Sequence, residues 1–152
     1  MSDGPHKNQS SGRGRNVTRA PDWMKQGLRL PAIAAPMFLV SGPDLVIAAR
    51  RAGVIGSFPV TNARTLDELD AWMSRIVAEA GEGAPAWALN MITHRSYTRF
   101  DDELALLSKH RPPLVITALG SPAPVIEAVH AYGGLVLADV NTIEQARKAA
   151  AA

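Results

Sequence analysis

AIAAPMFLVSGPDLVIAARRAGVIGSF, residues 32–58, reads as a strand, a helix and a second strand. Ala32–Ala35 and Val54–Phe58 are short apolar runs. Between them, Ser41-Gly42-Pro43-Asp44 has the form of a capping box with proline in the first turn. Leu45, Ala48, Ala49 and Ala52 then recur at helical spacing, and Gly53 is placed to end the helix. The linking loop, PMFLVSG, is bulky and apolar. A loop built to cradle phosphate would be rich in Gly, Ser or Thr.

The same unit repeats along the chain. Thr65-Leu66-Asp67-Glu68 forms a second capping box. Leu66, Leu69, Trp72, Met73, Ile76, Val77 and Ala80 follow it at three- and four-residue steps, and Gly81 is placed to end that helix. AWALNMI (86–92) is the third strand, and Thr98 and Asp101 open a helix carrying Phe100, Leu104 and Leu107. LVITALG (114–120) is the fourth strand, followed by a Ser121-Pro122 helix start carrying Val125, Ile126, Val129 and Tyr132. LVLADV (135–140) is the fifth strand, and Asn141 with Glu144 opens the fifth helix of the repeat. Short strands apolar throughout are buried on both faces, which means a parallel sheet with crossover helices.

Five βα units permit a complete doubly wound sheet of flavodoxin type. They equally form the first part of a (β/α)8 barrel, which typically needs about 250 residues. Length favours the first reading, since 152 residues complete it. The apolar PMFLVSG loop favours the second, because a large apolar wall at a strand's C-terminal end suits a flat ring better than a phosphate. A phosphoacceptor domain would also need Asp at the end of the third strand, where this chain has Asn90.

Composition narrows the function classes. With 47% hydrophobic and 20% charged residues the chain is globular rather than disordered. The absence of cysteine removes disulfides and thiolate-held metals, and it fits a cytoplasmic location. The longest apolar run, 32–40, is too short to span a bilayer, so no membrane role is expected. Lys7, Arg13, Arg15 and Arg19 concentrate basic charge at the front. Their Gly/Ser/Asn setting reads as a disordered tail rather than a nucleic-acid arm. Residues 1–27 are thus expected to be tail and adaptor, with the barrel portion at 28–152.

The segment LPAIAAPMFLVSGPDLVIAARRAGVIGSFP, with WALNMI, VITALGSP and VLADVNTIEQARKAAAA in that order, resembles the nitronate monooxygenases (2-nitropropane dioxygenases). The likeness runs from about Leu28 to Ala152. It implies an FMN-dependent (β/α)8 barrel that oxidises alkyl nitronates with O2 to a carbonyl compound and nitrite. Flavin-dependent enoyl reductases share parts of the same pattern. By the resemblance, Pro36 and Met37 lie against the flavin ring and Asn90 contacts its edge. An amide both donates and accepts, as that edge requires. Gly120 allows close approach of ligand or backbone, and Asp139 is a further flavin-side position or a helix cap. Met37 also reads as a core filler and Asn90 as a loop cap.

Phe38 and Phe58 are candidate substrate-wall residues. His94, after the third strand, is a candidate substrate-binding group or a solvated loop residue. His6, His110 and His130 fall in the tail, at a helix end and on a helix. The family's catalytic His lies after the sixth strand and its phosphate site after strands seven and eight. The closing NTIEQARKAAAA (141–152) starts a helix with no stop signal, so the chain reads as a truncated barrel. Open first and fifth strands would then favour self-association.

Overall fold

The computed structural model describes residues 21–79, 81 and 83–152. The basic stretch of residues 1–20 and Ala80, expected on the second helix of the repeat, lie outside the described residues. Five strands are present: β1 (Ile33–Ala34), β2 (Ile55–Pro59), β3 (Trp87–Ile92), β4 (Leu114–Ala118) and β5 (Leu135–Ala138). They alternate with α2 (Pro43–Ala52), α3 (Leu66–Glu79), α4 (Phe100–His110), α5 (Ala123–His130) and α6 (Ile143–Ala150), after a short leading helix α1 (Asp22–Lys25).

All strand pairs are parallel, and the order is β1-β2-β3-β4-β5. This order decides between the two architectures. A doubly wound sheet reverses direction after its first strand and so places helices on both faces. Steady progression with right-handed crossovers places every helix on one face. Helices α2 to α5 pack side by side in sequence. They share one core with the strand residues Phe58, Trp87, Leu89, Met91 and Val115. The fold is α/β, an arc of five βα units of a (β/α)8 barrel.

The opposite sheet face is the inside of the arc. Ile55, Ala86, Ala88 and Leu114 are buried there with Ile33, Ile116 and Leu135. Trp23, Met24 and Leu28 pack on this same cluster. The segment expected as a mere adaptor therefore carries a helix that packs against the strand-start end of the inner face. Within the described residues β1 pairs only with β2, and β5 only with β4.

Strand positions follow the apolar runs to within two residues, but three local readings change. The buried face of α2 is Pro43, Val46 and Ile47, not Leu45, Ala48, Ala49 and Ala52. The bulkier branched side chains turn inward because they remove more apolar area from water. Arg50 continues that face, with its guanidinium donating to the carbonyls of Ile76 and Pro85. Ser41 does not cap α2: Gly42 holds the N-cap position, and Ser41 Oγ accepts from Met37 N–H instead. At α6 the capping pair is Thr142 and Gln145, one residue later than expected. Thr65 does cap α3, accepting from Glu68 N–H at 3.1 Å. Leu69, Met73 and Ile76 form its fully buried face.

Candidate functional site

Parallel strands aim all their C-terminal ends at one edge of the arc, and loops of different units meet there. Register defines an inner layer just below this edge. Pro59 pairs with Asn90, Asn90 with Ile116, and Ile116 with Leu137. Asn90 shares the parity of Ala86 and Ala88, so its amide stands among apolar neighbours on the inner face. Its Nδ2 donates to the Ile116 carbonyl at 3.0 Å. Among the described residues its Oδ1 has no partner, and one N–H is left over. This is not a loop cap, because Asn90 lies inside β3 and reaches a neighbouring strand. The amide is held by one bond and offers one acceptor and one donor to whatever enters the arc.

The loop after β1 carries Pro36, Met37 and Phe38. Pro36 is half-buried, and Met37 is 41% exposed, outside the core of the described residues. Phe38, Leu39 and Val40 are more exposed still. The Val40 and Ser41 N–H groups donate to the Met37 carbonyl, and the side chains of Ser41 and Asn62 add four more hydrogen bonds to this loop. Ser41 Oγ accepts from Met37 N–H at 3.0 Å. The Asn62 amide, in the short 3-10 turn Val60–Asn62 after β2, accepts from Leu39 N–H and donates to the carbonyls of Met37 and Ser41. Asn62 was invisible to sequence reasoning because its partners lie more than twenty residues away.

Gly120 supports contact with backbone rather than with a ligand. A Cβ there would stand 2.5 Å from the Thr93 carbonyl oxygen and 2.6 Å from its carbon. The loop after β4 thus lies directly on the start of the loop after β3. Thr93 N–H extends that ladder to Ala118 O at 3.0 Å. His94 follows, exposed, with Nδ1 2.7 Å from Ser96 Oγ. It sits on the same edge, open to solvent. Asp139 is exposed after β5, its N–H donating to Thr117 O. It does not cap α6, a role Thr142 fills. It lines an open cleft of about 460 Å³ with Gly120, Ser121, Gln145 and Lys148.

Phe58 is a correction. It is fully buried on the helix side of the sheet, edge-on to Trp72 at 5.8 Å and stacked near Trp87 at 6.3 Å. It forms no wall of the inner site. The residues of β2 that face inward are Ile55, Ser57 and Pro59, by the alternation of a strand. Ser57 Oγ donates to the Ala34 carbonyl and so ties β1 to β2.

A buried polar group braces the same edge. Glu103, fully buried at the start of α4, accepts from Tyr97 Oη at 2.7 Å and pairs with Arg99 Nε at 3.2 Å. Arg99 also donates to the Ala63 carbonyl, which joins the loops after β2 and β3. Burial pushes the Glu103 carboxyl above its ordinary value, against the pull of the Tyr97 bond and the Arg99 charge. Burial and Glu103 likewise raise the Tyr97 hydroxyl.

Six of the nine large apolar side chains exposed among the described residues belong to loops at this edge: Met37, Phe38, Leu39, Val40, Leu119 and Val140. The arrangement can seat a flat or extended apolar ligand, with Asn90 as the polar group that orients it. No helix among the described residues is long and apolar enough to cross a membrane.

No protein-family model matches the chain, and no curated protein matches it in sequence. Among solved structures it is similar to FabK from Thermotoga maritima. The M276A mutant of FabK aligns with a TM-score of 0.70 at 21% identity, covering 83% of this chain and 40% of FabK. A second FabK structure aligns with the same score and identity, covering 83% of this chain and 38% of FabK. The chain therefore spans about two fifths of the length of these neighbours. What it shares with them is the fold, five parallel βα units laid in order around one side of a barrel.

Proposed function

We propose that this chain forms one side of the ring site of an FMN-dependent barrel oxidoreductase. The observation that carries the reading is the inward-facing Asn90 amide on β3, on the same strand-end edge as the apolar loop after β1. A partnered but unsaturated amide stands on the inner face, and at the same edge of the sheet a hydrogen-bonded loop presents apolar surface. That donor set fits a flavin ring, which has a flat apolar body and an edge of alternating N–H, N and C=O groups.

In this reading Asn90 holds the ring edge through Oδ1 and its second N–H. Pro36 and Met37 lie against the ring. Phe38, Leu39 and Val40 exclude water from the reacting face, which strengthens the electrostatic interactions inside it. The Gly120–Thr93 contact and the Arg99–Glu103 pair keep neighbouring loops at fixed height. Gly120 thus supports the site through backbone packing, and Asp139 lines the adjoining cleft. His94 stands at the rim as a candidate group for a polar end of the substrate. When bound, FMN would supply the reversible electron transfer that no side chain offers.

Two substrate classes fit an apolar rim. Reduction of an enoyl thioester is the better supported, since flavin-dependent enoyl reductases share parts of the sequence pattern and the FabK structures share the fold. Oxidation of an alkyl nitronate with O2 is supported by the ordered motifs from Ala-Pro-Met onward. For the chain expressed by itself, self-association through the unpaired sides of β1 and β5 is the proposed behaviour.

The test uses protein expressed from the complete coding sequence. It is purified and assayed for bound FMN, for nicotinamide-dependent reduction of an enoyl thioester, and for oxygen uptake with an ionised nitroalkane. Bound FMN with thioester reduction supports the first chemistry, and bound FMN with oxygen uptake supports the second. Protein that binds no FMN under any condition refutes the reading.

A further inference from the structure

We infer that Asn62 is a positioning residue that shapes the ring-facing loop before any ligand arrives. The inference rests on the flavin reading above. The loop of residues 37–41 exposes Phe38, Leu39 and Val40 at 65%, 70% and 63%, so it gains little burial of its own to hold it. Leu39 adopts φ +61°, a left-handed conformation that side-chain-bearing residues avoid. Something must offset both costs.

Asn62 uses its whole amide for this purpose. Its Oδ1 accepts from Leu39 N–H at 2.9 Å. Its Nδ2 donates to the Met37 carbonyl at 2.9 Å and to the Ser41 carbonyl at 2.8 Å. The three bonds span both ends of the loop and its strained centre. Asn62 is itself well anchored, two residues after the fully buried Val60 and next to the fully buried Ala63. Lock and loop come from different βα units, so the shape of the loop depends on the packing of β1 against β2. An Asn in this position organises Met37 and Phe38 without touching the ligand.

The test compares Asn62→Ala, Asn62→Asp and the double variant Asn62→Ala/Leu39→Gly in protein from the complete coding sequence. Three quantities are read: the FMN dissociation constant, the exchange of the Leu39 and Ser41 amides in FMN-free protein, and the thermal midpoint. Asn62→Asp is isosteric and keeps the Leu39 bond but loses both donors, so it carries the test if the alanine variant does not fold. Asn62→Ala is expected to weaken FMN binding by about 10- to 100-fold, with faster exchange at Leu39 and Ser41. Glycine at position 39 takes the positive φ without strain, so the double variant is expected to recover at least about threefold of that loss.

Binding within about threefold of wild type in Asn62→Ala and Asn62→Asp overturns the inference. So does a lowered thermal midpoint with unchanged exchange and unchanged FMN affinity, which is the pattern of a merely structural residue. Wild-type protein that binds no FMN overturns the flavin reading instead. Exchange at Leu39 and Ser41 then decides the lock by itself, and unchanged exchange refutes it.

Discussion

Replacing Phe58 by Ala tests which face of the sheet is the core and which is the site. Phe58 is fully buried between the sheet and α3, edge-on to Trp72 and stacked on Trp87. Burial of such a side chain is worth about 1.5–3 kcal/mol. Each aromatic contact adds about 0.5–1.5 kcal/mol. The cavity left between a strand and a packed helix relaxes only in part, so the expected loss is about 3–5 kcal/mol. With a urea dependence of about 2 kcal/mol per molar, the unfolding midpoint should fall by about 2 M. Phe58→Leu keeps most of the volume and should cost about 1–1.5 kcal/mol. Urea unfolding followed by tryptophan fluorescence reads both, since two of the three tryptophans border the site of change. For whatever fraction stays folded, the KM for substrate should be unchanged. An unchanged unfolding midpoint together with a raised KM would place Phe58 on the inner wall and refute the assignment of faces.

Other substitutions probe the strand-end edge directly. Gly120→Ala puts a methyl group 2.5 Å from the Thr93 carbonyl oxygen, and backbone cannot rotate away as a side chain can. A loss of about 1–3 kcal/mol is expected, with altered exchange at Thr93 and His94, and equal stability would sink the close-approach argument. Asn90→Leu removes the acceptor and donors from the inner layer and should weaken FMN binding by about 10- to 100-fold, as a flavin fluorescence titration would measure. The two perturbed carboxylates act oppositely with pH. Glu103 is held above its ordinary value by burial, so the folded state binds the extra proton. Its contribution to stability therefore falls as pH rises from the ordinary carboxylate range through the raised value. Asp70 is held below its ordinary value, first by the Lys109 hydrogen bond and then by that of His110. Its contribution is present above the ordinary range and is lost as pH falls through the lowered value. Urea midpoints for wild type, Glu103→Gln and Asp70→Asn between pH 3 and 8 check both signs, in roughly the span where carboxylates titrate. A wild-type slope at the upper end that survives in Glu103→Gln would remove Glu103 as its source.

Local signals were legible where one side chain or one period carries the information. The five apolar runs located the strands, because a strand buried on both faces is apolar at most of its positions. The α3 face was legible because its large residues recur at three and four. The α2 face was not, since alanines and branched residues compete on adjacent faces and only the strand beneath chooses between them. Caps slipped by a residue at α6 because Asn141 and Thr142 are both good caps, and only backbone geometry selects one. Pro36, Met37, Gly120, Asp139 and His94 fall just beyond the C-terminal ends of strands and Asn90 two residues before the end of β3, as their place in the βα units required.

By itself the sequence determined that five strands and their helices alternate, and that the first loop is apolar where a phosphate cradle would be polar. These are properties of neighbours along the chain. The apolar first loop and the ordered motifs pointed to a barrel, and the tertiary structure bore this out by showing the strand order, which local periodicity cannot carry because crossover direction leaves no mark on it. The tertiary structure also decided which side of β2 Phe58 faces. All five residues of that strand are buried, so no polar alternation distinguishes one face from the other. Asn62 belongs to the same class: its side chain acts on residues brought beside it only by the pairing of β1 with β2.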